Sequence, residues 1–224
     1  FVLAIAKDGG VAAPMSRRRQ KLDSRDYIED ELPAGYERMH NPLEPVYDEN
    51  SRILILGSFP SARSRENGFH YGDPKNRFWK LLARLFGEPV PADTAARKAL
   101  LLRRGIALWD VVAVCDIKGS SEQSIRNVVP ADINRILRAA EIQTVIANGD
   151  TAYRLYQKYC REYTGREAVK CPSTSPSNAI FTLERLADRW VEAVEPELWI
   201  AGEGIAEAAD GAEQLCQHGG DGRA

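Results

Sequence analysis

The sequence predicts an α/β protein, a three-layer αβα sandwich with a central four-stranded, mostly parallel sheet. Short apolar segments recur along the chain, and stretches with helical periodicity separate them. Continuously apolar segments are typical of strands that are covered on both faces. The alternation of such strands with helices favours parallel strands between two helical layers.

The chain length of 224 residues suits one domain of this kind with an extension at each end. We expect a partly disordered N-terminal extension at residues 1–39, a folded domain at residues 40–196 and a low-complexity tail at residues 197–224. Met15 precedes a basic run, and the hypothesis that translation starts there is tested by the mass of the endogenous protein.

The first predicted strand and the loop after it organise the rest of the chain. Residues 52–57 form an apolar run that ends at Gly57, and a polar loop follows. Asp73 and Pro74 are typical of an N-cap and a first helical residue, so we expect a helix to start there and to end at Gly87. Since ligands of open α/β sheets bind beyond the carboxyl ends of the strands, this loop is the first candidate for a functional site.

The remaining elements follow from the same patterns. We predict helices at residues 94–104, 131–141 and 183–194, a helix capped by Asp150, strands at residues 106–115, 144–147 and 168–171, and a polar loop at residues 116–127. These segments complete the four strands of the predicted sheet and place helices between them.

Composition excludes some classes of site. The net charge of −2 gives no global basic signal, so any affinity for nucleic acid must come from a local patch. The four cysteines form no CxxC pair and the three histidines share no helical face, so we expect no metal and no cofactor. Free thiols fit a reducing compartment, and we expect a cytoplasmic protein, nucleoid-associated in a prokaryote, with no membrane partner.

Two loops that leave the carboxyl ends of predicted strands are rich in small hydroxyl residues and proline. They are GSFPS at residues 57–61 and PSTSPSNA at residues 172–179. Such loops allow backbone amides to approach a phosphate or a base closely. Ordinary surface turns use the same residues, so the pattern alone leaves both interpretations open.

Five segments of the chain resemble a known family. LILGSFPS, GFHYGDPKNRFW, ALWDVVAVCDIKGSS, IANGDTAY and CPSTSPSNA are similar to segments of the hypoxanthine-DNA glycosylase (DNA-deoxyinosine glycosylase) family of the uracil-DNA glycosylase superfamily, over residues 40–195. The resemblance implies a hydrolase of base excision repair that cleaves the N-glycosidic bond of deaminated bases, with hypoxanthine first and uracil and xanthine as further candidates. No lysine stands out as a Schiff-base nucleophile, which favours a monofunctional enzyme.

The resemblance also implies roles for individual residues. Relatives with a GINPG motif use its Asn to position the hydrolytic water, and Phe59 occupies that place here, so the task passes to Asn76 of the NRFW segment. The implied base-binding residues are Gly57, Ser58, Phe59 and Tyr71, with Tyr71 stacking on the base. The implied DNA-binding residues are Ser61, Ser173, Thr174, Ser175, Pro176 and Ser177.

Each role has a structural alternative at this stage. Asn76 is also explained as a helix N-terminal residue, Tyr71 as a core residue, and His70 as a loop histidine. Asp73 stands where relatives often have His, and its charge leaves base specificity open.

We expect a monomer that acts on damaged double-stranded DNA, with single strands as a further substrate. The alternatives are a non-catalytic module that binds damaged or mismatched DNA, and a hydrolase of free nucleosides.

Overall fold

The computed structural model describes the backbone of residues 32–200 and the side chains of residues 32–194. The predictions for residues 1–31 and 201–224 lie outside this part of the chain. Among the described residues, no helix has the length and apolar character needed to cross a membrane.

A four-stranded parallel sheet forms the centre of the fold, as predicted. Its strands are β2 (Ile53–Gly57), β3 (Ile106–Asp110), β6 (Thr144–Asn148) and β7 (Val169–Cys171), in the order β3-β2-β6-β7. Ile55 in β2 lies opposite Leu108 in β3 and Ile146 in β6. All five residues of β2 are buried, which explains why this strand is continuously apolar.

Helices cover both faces of this sheet, and the strands alternate their side chains between the two layers. Leu54, Val145 and Ala147 pack in one hydrophobic cluster with residues of α4 (Asn134–Ala139) and α5 (Asp150–Tyr159). Ile53, Ile55 and Ile146 pack in the other, with residues of α2 (Phe78–Leu85), α3 (Thr94–Arg103) and α7 (Leu183–Ile200). This arrangement confirms the three-layer sandwich. The short α6 spans Arg161–Thr164, and α7 continues past the predicted domain end at residue 196.

A second, antiparallel sheet is present that the sequence analysis did not predict. Its strands are β1 (Glu37–His40), β4 (Val112–Ile117) and β5 (Arg126–Pro130), in the order β1-β4-β5. The strand predicted together with its exit at residues 106–115 is confirmed over β3, but the chain leaves the parallel sheet at Asp110 and enters another sheet at Val112, so residues 112–115 belong to β4. The predicted loop 116–127 instead contains the end of β4, a 3₁₀ turn at Glu122–Ser124 and the start of β5.

Two predicted helix starts are also wrong. Helix α2 begins at Phe78 and not at Pro74, because the Asp73 side chain accepts from the backbone N–H of Lys75 at 2.9 Å and closes a separate turn. Gly149, and not Asp150, occupies the N-cap position of α5, with a φ of 101°. The short α1 (Ala62–Glu66), which the sequence analysis missed, starts at Ser61, whose side chain accepts from the backbone N–H of Ser64.

Candidate active site

A cavity of about 150 Å³ opens beyond the carboxyl ends of β2, β3 and β6, where ligands bind in open α/β sheets. The first loop lines it with residues 57–61, and the second loop lines it with residues 173–176. Tyr71 and Asn76 line the same cavity. The predicted site residues thus lie together, with the exception of Ser177, whose hydroxyl bonds to that of Ser175 at 2.8 Å outside the lining.

Asn76 lies in the turn just before α2, at the edge of the cavity. Its Oδ1 accepts from the backbone N–H of Phe78 at 3.0 Å, which fixes the carboxamide at the helix start. Among the described residues, its Nδ2 has no hydrogen-bond partner. A carbonyl oxygen has a second lone pair, so the fixed carboxamide can still bind a water molecule.

Tyr71 combines a packing contact with a place in the cavity wall. Its ring stacks on Phe78 with centroids 3.9 Å apart and an interplanar angle of 19°. Burial, with the negative charge of Asp110, raises the pKa of Tyr71 well above its usual range, so the hydroxyl is protonated at neutral pH. Its φ of 51° is a left-handed conformation, which is uncommon for an aromatic residue and holds the ring at this position.

Asn148 connects Tyr71 to the second loop. Its Nδ2 donates to the Tyr71 hydroxyl at 2.9 Å and to Thr174 Oγ1 at 3.0 Å, and its Oδ1 accepts from the backbone N–H of Thr174 at 3.0 Å. The sequence indicated only a turn here. The loop approaches closely because residue 149 is glycine: a Cβ there would lie 2.8 Å from Ser173 Cβ.

Arg77 holds the second loop from the other side. Its guanidinium donates to the carbonyl oxygens of Thr174, Ser175, Asn178 and Phe181. From its place at a helix start, Arg77 is also suited to bind a DNA phosphate. In the structure this guanidinium is committed to backbone carbonyls.

A buried pair of titratable groups lies beneath the first loop. His70 Nδ1 is 3.4 Å from Asp110 Oδ2, and His70 Nε2 is 3.1 Å from the carbonyl oxygen of Glu44. Burial lowers the pKa of His70, but the hydrogen bond and charge of Asp110 outweigh it and raise the pKa above its ordinary value. Gly57 is required beside this pair, since a Cβ there would lie 2.3 Å from Asp110 Oδ1.

Glu122 is a further cavity residue that the sequence analysis missed. It begins the 3₁₀ turn between β4 and β5, and its Oε1 accepts from Ser58 Oγ at 2.8 Å. The residue as a whole is exposed to solvent, but its carboxylate is surrounded by protein atoms. This local desolvation, with the charge of Asp110, raises the pKa of Glu122. The only available signal was its place directly after the family-like segment that ends in KGSS.

The described residues include no group of three or more His, Cys, Asp or Glu side chains that could hold a metal ion. Cys115, Cys160 and Cys171 are free and buried.

The fold and the cavity together define an α/β protein with a binding site beyond the carboxyl ends of its parallel strands. The chain belongs to the Uracil DNA glycosylase superfamily, whose family model matches residues 44–198. This match confirms the family resemblance seen in the sequence, and with it a DNA glycosylase that acts on DNA.

Two relatives of the chain have the same name. A hypoxanthine DNA glycosylase of Methanosarcina acetivorans is 34% identical over 143 residues, which are 62% of this chain and 89% of that protein. A hypoxanthine DNA glycosylase of Methanosarcina barkeri is 36% identical over 110 residues, which are 47% of this chain and 68% of that protein.

Solved structures with a similar fold include one from the same archaeon as the first relative. It is an NMR structure of a candidate uracil DNA glycosylase from Methanosarcina acetivorans, with a TM-score of 0.59 and 31% identity, and the match covers 71% of this chain and 99% of that chain. The likeness supports the assignment of the α/β fold.

Proposed function

We propose that this protein is a monofunctional DNA glycosylase that removes hypoxanthine from deoxyinosine in DNA and leaves an abasic site. The observation that carries the proposal is the meeting of Asn76, Tyr71 and both loops at one cavity, in a chain similar to two hypoxanthine DNA glycosylases. A cavity of about 150 Å³ is on the scale that holds one small aromatic molecule, and it is too small for a base pair. A base must therefore leave the duplex to enter it, as in other enzymes that act on bases.

The reaction replaces the bond between the base and C1′ with a bond to water, through an oxocarbenium-like transition state. Asn76 binds the water beside the base pocket, and its fixed carboxamide aims the oxygen at C1′. Because the amide is neutral, it orients the water and does not keep its proton; the proton that the water loses ends on the departing base, which leaves as neutral hypoxanthine. Tyr71 offers its ring to the extruded base while Phe78 supports the ring from behind.

Cleavage leaves negative charge on the departing base, so hydrogen-bond donors that face the base lower the barrier. The first loop supplies backbone amides near Ser58, and the second loop supplies the hydroxyl groups of Ser173 and Ser175 at the cavity wall. No step requires a metal or a cofactor. Ser61, Ser177 and residues 173–176 belong to the two loops and, in this proposal, contact the DNA backbone.

Double-stranded DNA is the proposed form of the substrate. Ile180 follows the second loop and exposes 73% of its surface, the highest value among the large apolar side chains of the described residues. Apolar side chains beside a flipping site are used as wedges between base steps. We further propose that the protein acts as a monomer in the cytoplasm, in contact with the nucleoid in a prokaryote and with no membrane.

The experiment is a single-turnover comparison of duplexes that contain one deoxyinosine, deoxyuridine or deoxyxanthosine, each treated with alkali after incubation. We expect the deoxyinosine strand to be cleaved fastest, and the matched undamaged duplex to stay intact. The same lesions in single strands measure strand preference, and free inosine tests the alternative of a nucleoside hydrolase. Comparable inertness towards all three duplexes would end the proposal.

A further inference from the structure

The Glu122 carboxylate lies at the cavity with only one of its two oxygens hydrogen-bonded within the part of the chain that the structure describes. It comes from the connection between β4 and β5 and reaches the first loop, where Ser58 donates to its Oε1 at 2.8 Å. Its second oxygen, Oε2, has no hydrogen-bond partner among the described residues. Glu122 also lines the cavity that holds Tyr71 and Asn76. A carboxylate fixed by one oxygen therefore has the other available to a ligand.

Other polar groups on this side of the cavity are engaged or poorly accessible. The carboxamide of Asn148 is used at both ends, by Tyr71 and by Thr174. Asp110 is only 4% exposed and has its Oδ2 in contact with Asn41 and His70. These contacts leave Glu122 as the carboxylate beside Ser58 with an uncommitted acceptor.

Asp73 is the third carboxylate in the lining, but it belongs to a different part of the site. Its carbonyl oxygen accepts from the backbone N–H of Asn76 at 2.9 Å, and its side chain closes the same turn. Asp73 is thus in contact with Asn76, the proposed water-binding residue, where the sugar of the nucleotide would lie. Glu122 is in contact with Ser58, one of the predicted base-binding residues.

Deamination changes one edge of a base in a way that a carboxylate can detect. The N1 atom of adenine and the N3 atom of cytosine are acceptors, and in hypoxanthine and uracil the same atoms carry a hydrogen and become donors. A carboxylate binds an N–H donor through a charge-assisted hydrogen bond and repels an acceptor at the same place. The change is the same for a purine and a pyrimidine.

We propose that Glu122 is a specificity-determining residue, whose Oε2 accepts a hydrogen bond from the N–H group that deamination creates on the base. This inference rests on the proposed function and deepens it, since it names the feature that the site recognises. This hydrogen bond would distinguish hypoxanthine from adenine, and uracil from cytosine. Guanine and thymine carry the same N–H group, so their exclusion depends on the shape of the cavity.

The experiment measures binding without cleavage. Duplexes carry one 2′-fluoroarabino nucleotide, which resists hydrolysis, with hypoxanthine or adenine as its base. The readout is the ratio of the two dissociation constants for the wild type, Glu122→Gln and Glu122→Ala. A ratio cancels non-specific changes in DNA affinity, and Glu141→Gln on the opposite end of the sheet controls for the lost charge.

We expect Glu122→Ala to lower the preference for hypoxanthine by about tenfold to a hundredfold, the range for one hydrogen bond to a charged group. Glu122→Gln should retain part of the preference, because its amide oxygen still accepts, and should tolerate adenine better, because its amide nitrogen donates. Glu141→Gln should leave the ratio unchanged. Thermal unfolding of each variant checks that the fold is intact.

An unchanged ratio in folded Glu122→Ala would overturn the inference. If both variants also lost deoxyinosine cleavage equally, Glu122 would instead be a proton donor to the departing base. Failure of the wild type to release hypoxanthine at all would instead contradict the proposed function, so the two failures are distinguishable.

Discussion

Asn76 performs two tasks that need to be separated at the scale of the residue. Its Oδ1 accepts from the backbone N–H of Phe78 and so starts α2, and its carboxamide also lines the cavity. The first task is structural and is worth about 1 kcal/mol for a capping residue. The second is the proposed positioning of the hydrolytic water, which affects the rate and not the stability.

We predict that Asn76→Ala slows the release of hypoxanthine by a factor on the order of 10², because the water is no longer aimed at C1′. Single-turnover kinetics on a deoxyinosine duplex measure the effect. Asn76→Ser is the matched control, since a serine hydroxyl can also accept from the backbone N–H two residues on, but it ends closer to the backbone. Serine should recover the stability and not the rate, and a near-normal rate in either variant would assign the water to another residue.

The sequence predicted these residues unequally. Asn76, Tyr71 and the two loops were found because they lie in segments with a family pattern. Asp110 and Glu122 were not found, because nothing local distinguishes a buried carboxylate from a surface one. Asn148 looked like a turn residue, and its role depends on Thr174, which lies 26 residues away along the chain.

At the scale of the element, the second loop is held by contacts that lie far from it in sequence. Arg77 and Phe181 are 104 residues apart, yet the guanidinium of Arg77 donates to the carbonyl of Phe181 and to three others in the loop. An arginine fork of this kind has a geometry that a lysine cannot reproduce. The loop is therefore ordered by the start of α2.

We predict that Arg77→Ala lowers the free energy of unfolding by about 2–3 kcal/mol and weakens DNA binding, because the loop loses its support. The salt dependence of binding should stay the same, whereas loss of a phosphate contact reduces its slope by roughly one. Exposed Lys75 provides the comparison, and Lys75→Ala should reduce the slope without destabilising the protein. A reduced slope in Arg77→Ala, or in the neutral Arg77→Gln if alanine does not fold, would show that Arg77 binds phosphate.

The antiparallel sheet depends on a charged group in its middle strand. Asp116 of β4 is fully buried, accepts from Arg38 Nε of β1 at 2.8 Å, and accepts from Asn127 of β5 at 2.6 Å. The hydrogen bond from Arg38 is the largest cause that lowers the pKa of Asp116. One carboxylate thus connects all three strands.

We predict that Asp116→Asn lowers the free energy of unfolding by about 2–3 kcal/mol at neutral pH. Because the folded-state pKa of Asp116 is lowered, its contribution is present above the unfolded pKa of about 4 and is lost as the pH falls through the folded value. The difference between wild type and variant should therefore shrink below about pH 4 in denaturant titrations. Exposed Asp150→Asn serves as the control, and a difference independent of pH would contradict this interpretation.

At the scale of the whole molecule, the parallel sheet explains how distant segments form one site. Strands β2, β3 and β6 are neighbours and run in the same direction, so their carboxyl ends deliver Gly57, Asp110 and Asn148 to one edge. The sequence predicted this sheet because its strands are short and mostly apolar and alternate with helical segments, and β2 is apolar throughout. It did not predict the antiparallel sheet, because β1 and β5 are short, half-exposed, and formed only by pairing with β4.

The account depends most on the claim that the whole molecule hydrolyses one N-glycosidic bond and leaves the DNA strand intact. The direct test counts free hypoxanthine and alkali-labile sites in the same sample, during a single turnover on a duplex with one deoxyinosine. We predict equal amounts of the two products, and an unbroken strand until alkali is added. A duplex that is bound but releases no base, or a strand that breaks before alkali, would contradict the account.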